Sequence, residues 1–213
     1  MTSSPTGSTR PNRINITETK QLLVEGNDDL RVFRALIETK SVSDIQIQVY
    51  GGKQNLKSFL RNFVEDDNFE NVTSIGIHRD ADTNANDAER SIHGTLDALS
   101  LPKPSSPLTI AQINDLPSIV YLVVPHYKNN GSIEDVCLDS VNDQDILGCV
   151  EGYMECLESV SPDEFVATPK ARTYAYLASR KPYNLRVGEA ADAGEWNFEA
   201  ESFEPLRNLI ELL

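Results

Sequence analysis

The sequence predicts an α/β protein: a mostly parallel sheet flanked by helices, with a C-terminal helical extension. Three observations predict it. Short apolar runs near residues 20–25, 44–50, 72–77 and 118–124 alternate with segments whose apolar residues recur at helical spacing, as in a βαβ chain. The first and third runs stop abruptly at carboxylates, Glu25 in one case and Asp80 and Asp82 in the other. Beyond residue 140 the helical spacing continues with no convincing strand. The carboxyl ends of parallel strands open on one crevice, where ligands bind, so acids far apart in sequence would meet there.

The elements follow in order. Residues 20–25 form an apolar strand ending in Glu25-Gly26, where glycine lets the chain turn close to a ligand. Leu30, Val32, Phe33, Leu36 and Ile37 mark a helix over residues 29–40. Residues 44–50 alternate with period two, which predicts a strand with one polar face near a sheet edge, closed by Gly51-Gly52. Leu56, Phe59, Leu60 and Phe63 lie on one face of a helix over residues 53–64. A strand at 72–77 and a helix over 87–99, marked by Ile92, Leu96 and Leu99, come next. Three prolines within residues 102–107 make a loop. The nearly continuous apolar run 118–124 fits a strand at the centre of the sheet. Glu134 and Asp135 open a further helix, and helices follow over 143–160, 169–179 and 204–213. The chain therefore divides into a disordered arm at 1–17, an α/β domain at 18–140 and a helical extension at 141–213 packed on it.

Composition bounds the function. The 213 residues are 39% hydrophobic and 24% charged, a globular balance. No apolar run approaches the ~18–20 residues of a membrane span, so no membrane partner is expected. Residues 1–12 lack the apolar stretch of a secretory signal. Cys137, Cys149 and Cys156 have no CxxC spacing and sit in apolar contexts, which reads as buried free thiols in a cytoplasmic protein. The net charge of −14 weighs against simple electrostatic binding of nucleic acid. It leaves room for a local basic patch. Residues 168–188 carry Lys170, Arg172, Arg180, Lys181 and Arg186, three tyrosines and no acid. That segment reads either as a polyanion-binding surface with aromatic stacking or as a helix with a solvated basic face.

The acids need separate weighing. Helix capping accounts for Asp28 and, in part, Asp29, Glu134 and Asp135. It does not account for Glu25 at a strand end. Asp80-Ala81-Asp82 alone is weak evidence. A calcium loop starting at Asp80 would need glycine and glutamate where Ala85 and Ser91 stand. A haloacid-dehalogenase phosphatase would need threonine one position after Thr83. His78 is expected to point into a helix layer, and His126 to be a structural histidine or a ligand contact. Clustered carboxylates repel one another, and a hard cation such as Mg²⁺ relieves that repulsion.

Val24-Glu25-Gly26-Asn27-Asp28-Asp29 and Asp80-Ala81-Asp82, in that order and at those strand ends, resemble the Toprim domain of type II topoisomerases, primases and OLD-type nucleases. The resemblance covers about residues 18–140. Gly51-Gly52-Lys53 is similar to the glycine turn of stand-alone Toprim proteins related to OLD nucleases. Gly131-Ser132-Ile133-Glu134-Asp135 is similar to their second acidic segment. No GxxxxGK[ST] motif occurs, so the ATPase half of OLD proteins has no counterpart in this sequence.

The resemblance implies phosphodiester chemistry with one or two Mg²⁺ or Mn²⁺ ions, that is, a nuclease acting on nucleic acid. Glu25 would be a metal ligand or general base, and Asp80 and Asp82 metal ligands. Asp29 and Glu134 would complete a second metal site. Lys170 would stand by the scissile phosphate, with Arg172, Arg180 and Lys181 along the substrate. Arg79, between the strand and Asp80-Ala81-Asp82, reads equally well as a cation that pairs with the acids and lowers their repulsion. The competing reading is a non-catalytic metal-binding or interaction subunit, working with a partner protein or as a homo-oligomer, which the acidic surface favours.

Overall fold

The computed structural model describes residues 14–40, 42–164 and 167–213. β1 (Lys20–Val24), β2 (Ile45–Val49), β3 (Ser74–Asp80) and β4 (Ser118–Val124) pair in parallel in the order β2-β1-β3-β4. The helices are α1 (Asn27–Lys40), α2 (Leu56–Val64), α3 (Ala85–Ala98), α4 (Ile133–Asp139), α5 (Gln144–Val160), α6 (Pro169–Ala178), α7 (Val187–Asp192) and α8 (Glu204–Glu211). The predicted class therefore holds: a parallel sheet flanked by helices, ending in a C-terminal helix.

Side chains on a strand alternate between faces, so each strand feeds two cores. Leu22, Val24, Leu122 and Val124 pack with Phe33 and Leu36 of α1 and with Val136, Trp196, Phe203 and Leu206. Leu23, Ile75, Ile77 and Tyr121 face the other way, onto Leu56, Leu60 and Phe63 of α2 and Ile92 and Leu96 of α3. Each such side chain contributes about 1.5–3 kcal/mol by leaving water.

The edges hold one expected feature and one correction. β2 lies at an edge, as its alternation predicts, and Gln46 and Gln48 bond the fully buried Gln21 at 3.0 and 2.8 Å. β4, which its apolar run places at the centre, instead forms the other edge. Its apolar run reflects two covered faces, while residues 108–111 cover its free side. Leu108 donates to the Tyr121 carbonyl (2.9 Å), and Ala111 and Ile119 exchange bonds at 2.9 and 2.8 Å.

α7 has no clear sequence signal because six residues are too few to display a period. Tertiary contact makes it. A β-carbon on Gly188 would lie 2.8 Å from the Arg31 β-carbon, so only glycine lets α7 approach α1 this closely. The Gly188 N–H donates to Asp28 Oδ1 (3.0 Å), so Asp28 holds the start of α7.

Residues 1–13 of the expected arm lie outside the described residues. Ile16 is buried, and the Thr17 N–H bonds Gln46 Oε1 at 2.8 Å, so the folded body already includes them. The cysteines correct another expectation: Cys137 is buried, but Cys149 and Cys156 are exposed on α5, which buries only a narrow stripe. No helix among the described residues is long and apolar enough to cross a membrane.

Candidate metal centre

The acids gather where β1, β3 and β4 end. Glu25 follows β1 directly, and its carbonyl accepts from Gly51 and Gly52 at 3.1 and 3.0 Å. Both glycines have positive φ, 81° and 99°, so this turn can wrap around the glutamate. One carboxylate oxygen, Oε1, accepts from the Lys53 N–H (2.9 Å); the other, Oε2, is buried without a hydrogen-bond partner. Burial raises the Glu25 carboxyl above its ordinary range, and the charge of Asp82 adds to that.

Asp29 stands in the first turn of α1 and is 5% exposed. Its Oδ2 accepts from Gly26 N–H (2.7 Å), and its Oδ1 is left without a hydrogen bond. Burial pushes its pKa up to about 7, and the charges of Glu25 and Glu134 push the same way. Asp80 ends β3 and accepts from the Ile133 N–H through Oδ1 (3.0 Å), which ties the strand end to the start of α4. Burial also raises Asp80 well above its ordinary value, reinforced by Asp29, Glu134 and Glu25. Glu134 is buried in the first turn of α4, and Lys170 Nζ of α6 comes within 3.8 Å of it.

His78 is a site residue that the sequence pattern does not single out. It does point into a helix layer, with its ring edge-on to Phe33 at 5.0 Å. Its Nδ1 also lies 3.5 Å from Asp29 Oδ1. Full burial lowers its pKa to about 3, so the ring is neutral and offers a lone pair. One signal could have found it: period two along β3 places His78 and Asp80 on one face.

Ligand atoms of Asp29, His78 and Asp80 lie within 4.8 Å of one another, a buried group that can hold a metal ion. The donors fit a divalent cation. Glu25 Oε2, Asp29 Oδ1 and both His78 nitrogens are buried and unpartnered. Leaving a buried polar atom unpaired costs about 1–3 kcal/mol, more for a charged one. Carboxylate oxygens are the ligands Mg²⁺ takes, and a neutral imidazole also suits transition metals.

Asp82 stands at the rim. Its φ of 52° is left-handed, and its carboxylate is 38% exposed and paired with Lys53 Nζ at 2.9 Å. Its backbone exchanges two bonds of 2.8 Å with Gly131. Gly131 has a φ of 124°, and a β-carbon there would lie 2.5 Å from Asp135 Oδ2 and 2.8 Å from Pro125 Cδ. Gly131→Ala is therefore expected to lower the unfolding free energy by about 1–3 kcal/mol, read as a shift of the urea midpoint. An unchanged midpoint would mean that this loop yields without strain.

The remaining residues are scattered. Arg172 is held by Glu151 (2.9 Å) and Arg180 by Glu195 (3.1 Å), while Lys170 and Lys181 are exposed. His126 is exposed. Asp135 caps α4 by accepting from Ser132 N–H (2.9 Å). Arg79 is buried, and among the described residues it forms no ion pair; its Nε and Nη1 lack partners. Its charge nonetheless lowers Glu25 in part.

Fold and site thus define an α/β protein with a buried group able to hold a metal ion at its strand ends. Residues 19–213 match the family described as Protein of unknown function (DUF3226), and the chain belongs to that family. No curated protein matches it. The chain is similar to a solved hypothetical protein, PH0156 from Pyrococcus horikoshii OT3, at 16% identity and a TM-score of 0.59, covering 92% of this chain and 95% of that one. That likeness concerns the fold alone. It is also similar to the C-terminal region of the OLD protein of Xanthomonas campestris pv. campestris, at 14% identity and a TM-score of 0.35, covering 92% of this chain and 79% of that one. At that score no argument follows from the second likeness.

Proposed function

We propose that this chain is a Toprim-type phosphodiester hydrolase that acts on nucleic acid with Mg²⁺ or Mn²⁺. One observation carries the reading: acids from separate elements converge in one crevice and leave buried oxygens, Glu25 Oε2 and Asp29 Oδ1, without partners. A purely structural cluster would have its oxygens satisfied. The motifs at Glu25 and Asp80-Ala81-Asp82 are those that resemble the Toprim domain.

Asp29, Asp80 and Glu25 would hold the ion, with Glu134 and Asp82 as the further carboxylates of the cluster. A bound divalent ion supplies Lewis-acid polarisation of a phosphoryl oxygen and a water of lowered pKa. Where Glu25 does not ligate the ion, its unpartnered Oε2 would serve as the base that takes a proton from water. His78, with an unpartnered nitrogen 3.5 Å from Asp29 Oδ1, would add a neutral ligand beside Asp29 and Asp80. Lys170, exposed and beside Glu134, can swing toward a phosphate and offset its charge.

A second reading draws on the charge of −14 and on the pairing of Arg172 and Arg180 with acids: a metal-binding subunit without catalysis that serves a partner protein. The two separate in one experiment. Labelled single- and double-stranded DNA and RNA are incubated with Mg²⁺ or Mn²⁺, beside a Glu25→Gln/Asp80→Asn double variant. Cleavage by the wild type alone supports the nuclease. A folded wild type that cleaves nothing moves the weight to the partner reading. Equal cleavage by both removes the site from consideration.

A further inference from the structure

We propose that the phosphate backbone of a polynucleotide reaches the metal centre along α2, over a basic face made by Lys53, Lys57 and Arg61. The inference rests on the nuclease reading and names the surface that binds its substrate. In a chain with 33 acidic and 19 basic residues, positions 45–64 contain those three bases and no acid. Residues 57 and 61 are one helical turn apart, so they share a face of α2, while Leu56, Leu60 and Phe63 fill the core behind it. All three basic side chains are exposed.

Lys53 joins this face to the centre. Its N–H holds Glu25 Oε1 and its Nζ holds Asp82 Oδ2, both at 2.9 Å. From there an open groove of about 350 Å³ runs between α2 and α3, with Lys53 and Lys57 on one wall and Ser91, Gly94 and Thr95 on the other. No carboxylate lines it. The acids of α3 are engaged elsewhere: Asp87 with Arg90, Asp97 with Lys103, and Glu89 with the Tyr121 hydroxyl. Among the described residues neither Lys57 nor Arg61 is paired with a carboxylate, whereas Arg172 and Arg180 are. Phosphate binding gains most from cations that are not already neutralised, because each contact releases condensed counterions. On the α2 face Lys57 and Arg61 meet that condition and Lys53, paired with Asp82, does not. In the denser run at 168–188 Lys170, Arg172 and Arg180 are all paired, so the α2 face keeps the larger share of its cations free.

The test measures binding of a fluorescent 20-nucleotide single strand and its duplex to the full chain by anisotropy. Ca²⁺ replaces Mg²⁺, and salt is varied. Lys57→Glu/Arg61→Glu is expected to weaken binding at least about tenfold and to lower the slope of log K against log salt by about 1.5–2. Lys57→Arg/Arg61→Lys should restore both. Arg34→Glu/Lys40→Glu on α1, an equal charge change, should bind like the wild type. Wild-type binding by the α2 pair overturns the proposal. So does loss in Arg180→Glu/Lys181→Glu instead, or a wild type that binds neither strand nor duplex. Hydrolysis of bis(p-nitrophenyl) phosphate by the wild type with Mn²⁺ tests the chemistry separately. If the ester is cleaved while the α2 pair leaves binding unchanged, the track fails and the nuclease reading stands. If binding depends on the α2 pair but neither ester nor polynucleotide is cleaved, the track stands and the nuclease reading fails.

Discussion

Glu25→Gln and Asp80→Asn, made singly, are each expected to lower metal-supported cleavage by about a hundredfold or more while leaving the protein folded. The two outcomes belong together because each amide keeps the contact that positions the side chain. The glutamine amide retains an oxygen to accept from the Lys53 N–H, and the asparagine amide retains one for the Ile133 N–H. What is lost is one negative charge from a crowded, desolvated cluster. A weakened ligand for a cation follows, and so does relief of the burial cost and, behind it, the repulsion that raise both carboxyls above their ordinary pKa. In the presence of chelator the variants should therefore melt no lower than the wild type. With Mn²⁺ the wild type should gain stability and the variants much less, since only a ligand of the native state shifts the equilibrium. A site that trades stability for function behaves in this way. Melting curves with EDTA and with Mn²⁺, beside cleavage rates, give both readouts. A variant that cleaves at the wild-type rate would sink the assignment of that residue.

The parts of this centre that the sequence disclosed share a physical cause. Glu25 and Asp80 stand out because an apolar strand must end at the crevice, and an acid directly after it has nowhere else to go. The position of β4 was not legible, because apolar residues report covered faces and not hydrogen-bonding neighbours; the cover at its edge comes from residues 108–111, which carry no strand pattern. His78 was hidden by its surroundings. A histidine in an apolar run reads as core, and it is core, against Phe33, but its Nδ1 also meets Asp29 from another element. The basic surfaces show the same limit. Counting charges picks out 168–188, yet pairing with Glu151 and Glu195 depends on how α6 packs, which no local window contains. Asp28 likewise reads as a cap for its own helix, while its Oδ1 receives the N–H of Gly188, 160 residues away.

Asp29 gives the centre a pH dependence that a metal should erase. Its carboxyl titrates at about 7 in the folded chain against an ordinary value of 3.8, because burial disfavours the charged form. The folded state therefore holds a proton that the unfolded state releases. Stability from this group is fully present below the ordinary value, falls as pH rises between the two, and stays low above about 7. At 1.36 kcal/mol per unit the loss is about 4 kcal/mol. Asp29→Asn has no proton to lose and can still accept from Gly26. The stability of the wild type relative to Asp29→Asn, taken from urea unfolding in EDTA, should thus decline from pH 4 to pH 8 by that order. The comparison cancels the general repulsion in a chain of charge −14, which both proteins share apart from the one group. Saturating Mg²⁺ should flatten the decline in the wild type, since a cation beside Asp29 favours the carboxylate that burial opposes, and should leave Asp29→Asn nearly unchanged. A difference that stays constant with pH in EDTA would show that Asp29 is already relieved of its burden without a metal. A difference that declines but ignores Mg²⁺ would mean the buried acids serve something other than a cation.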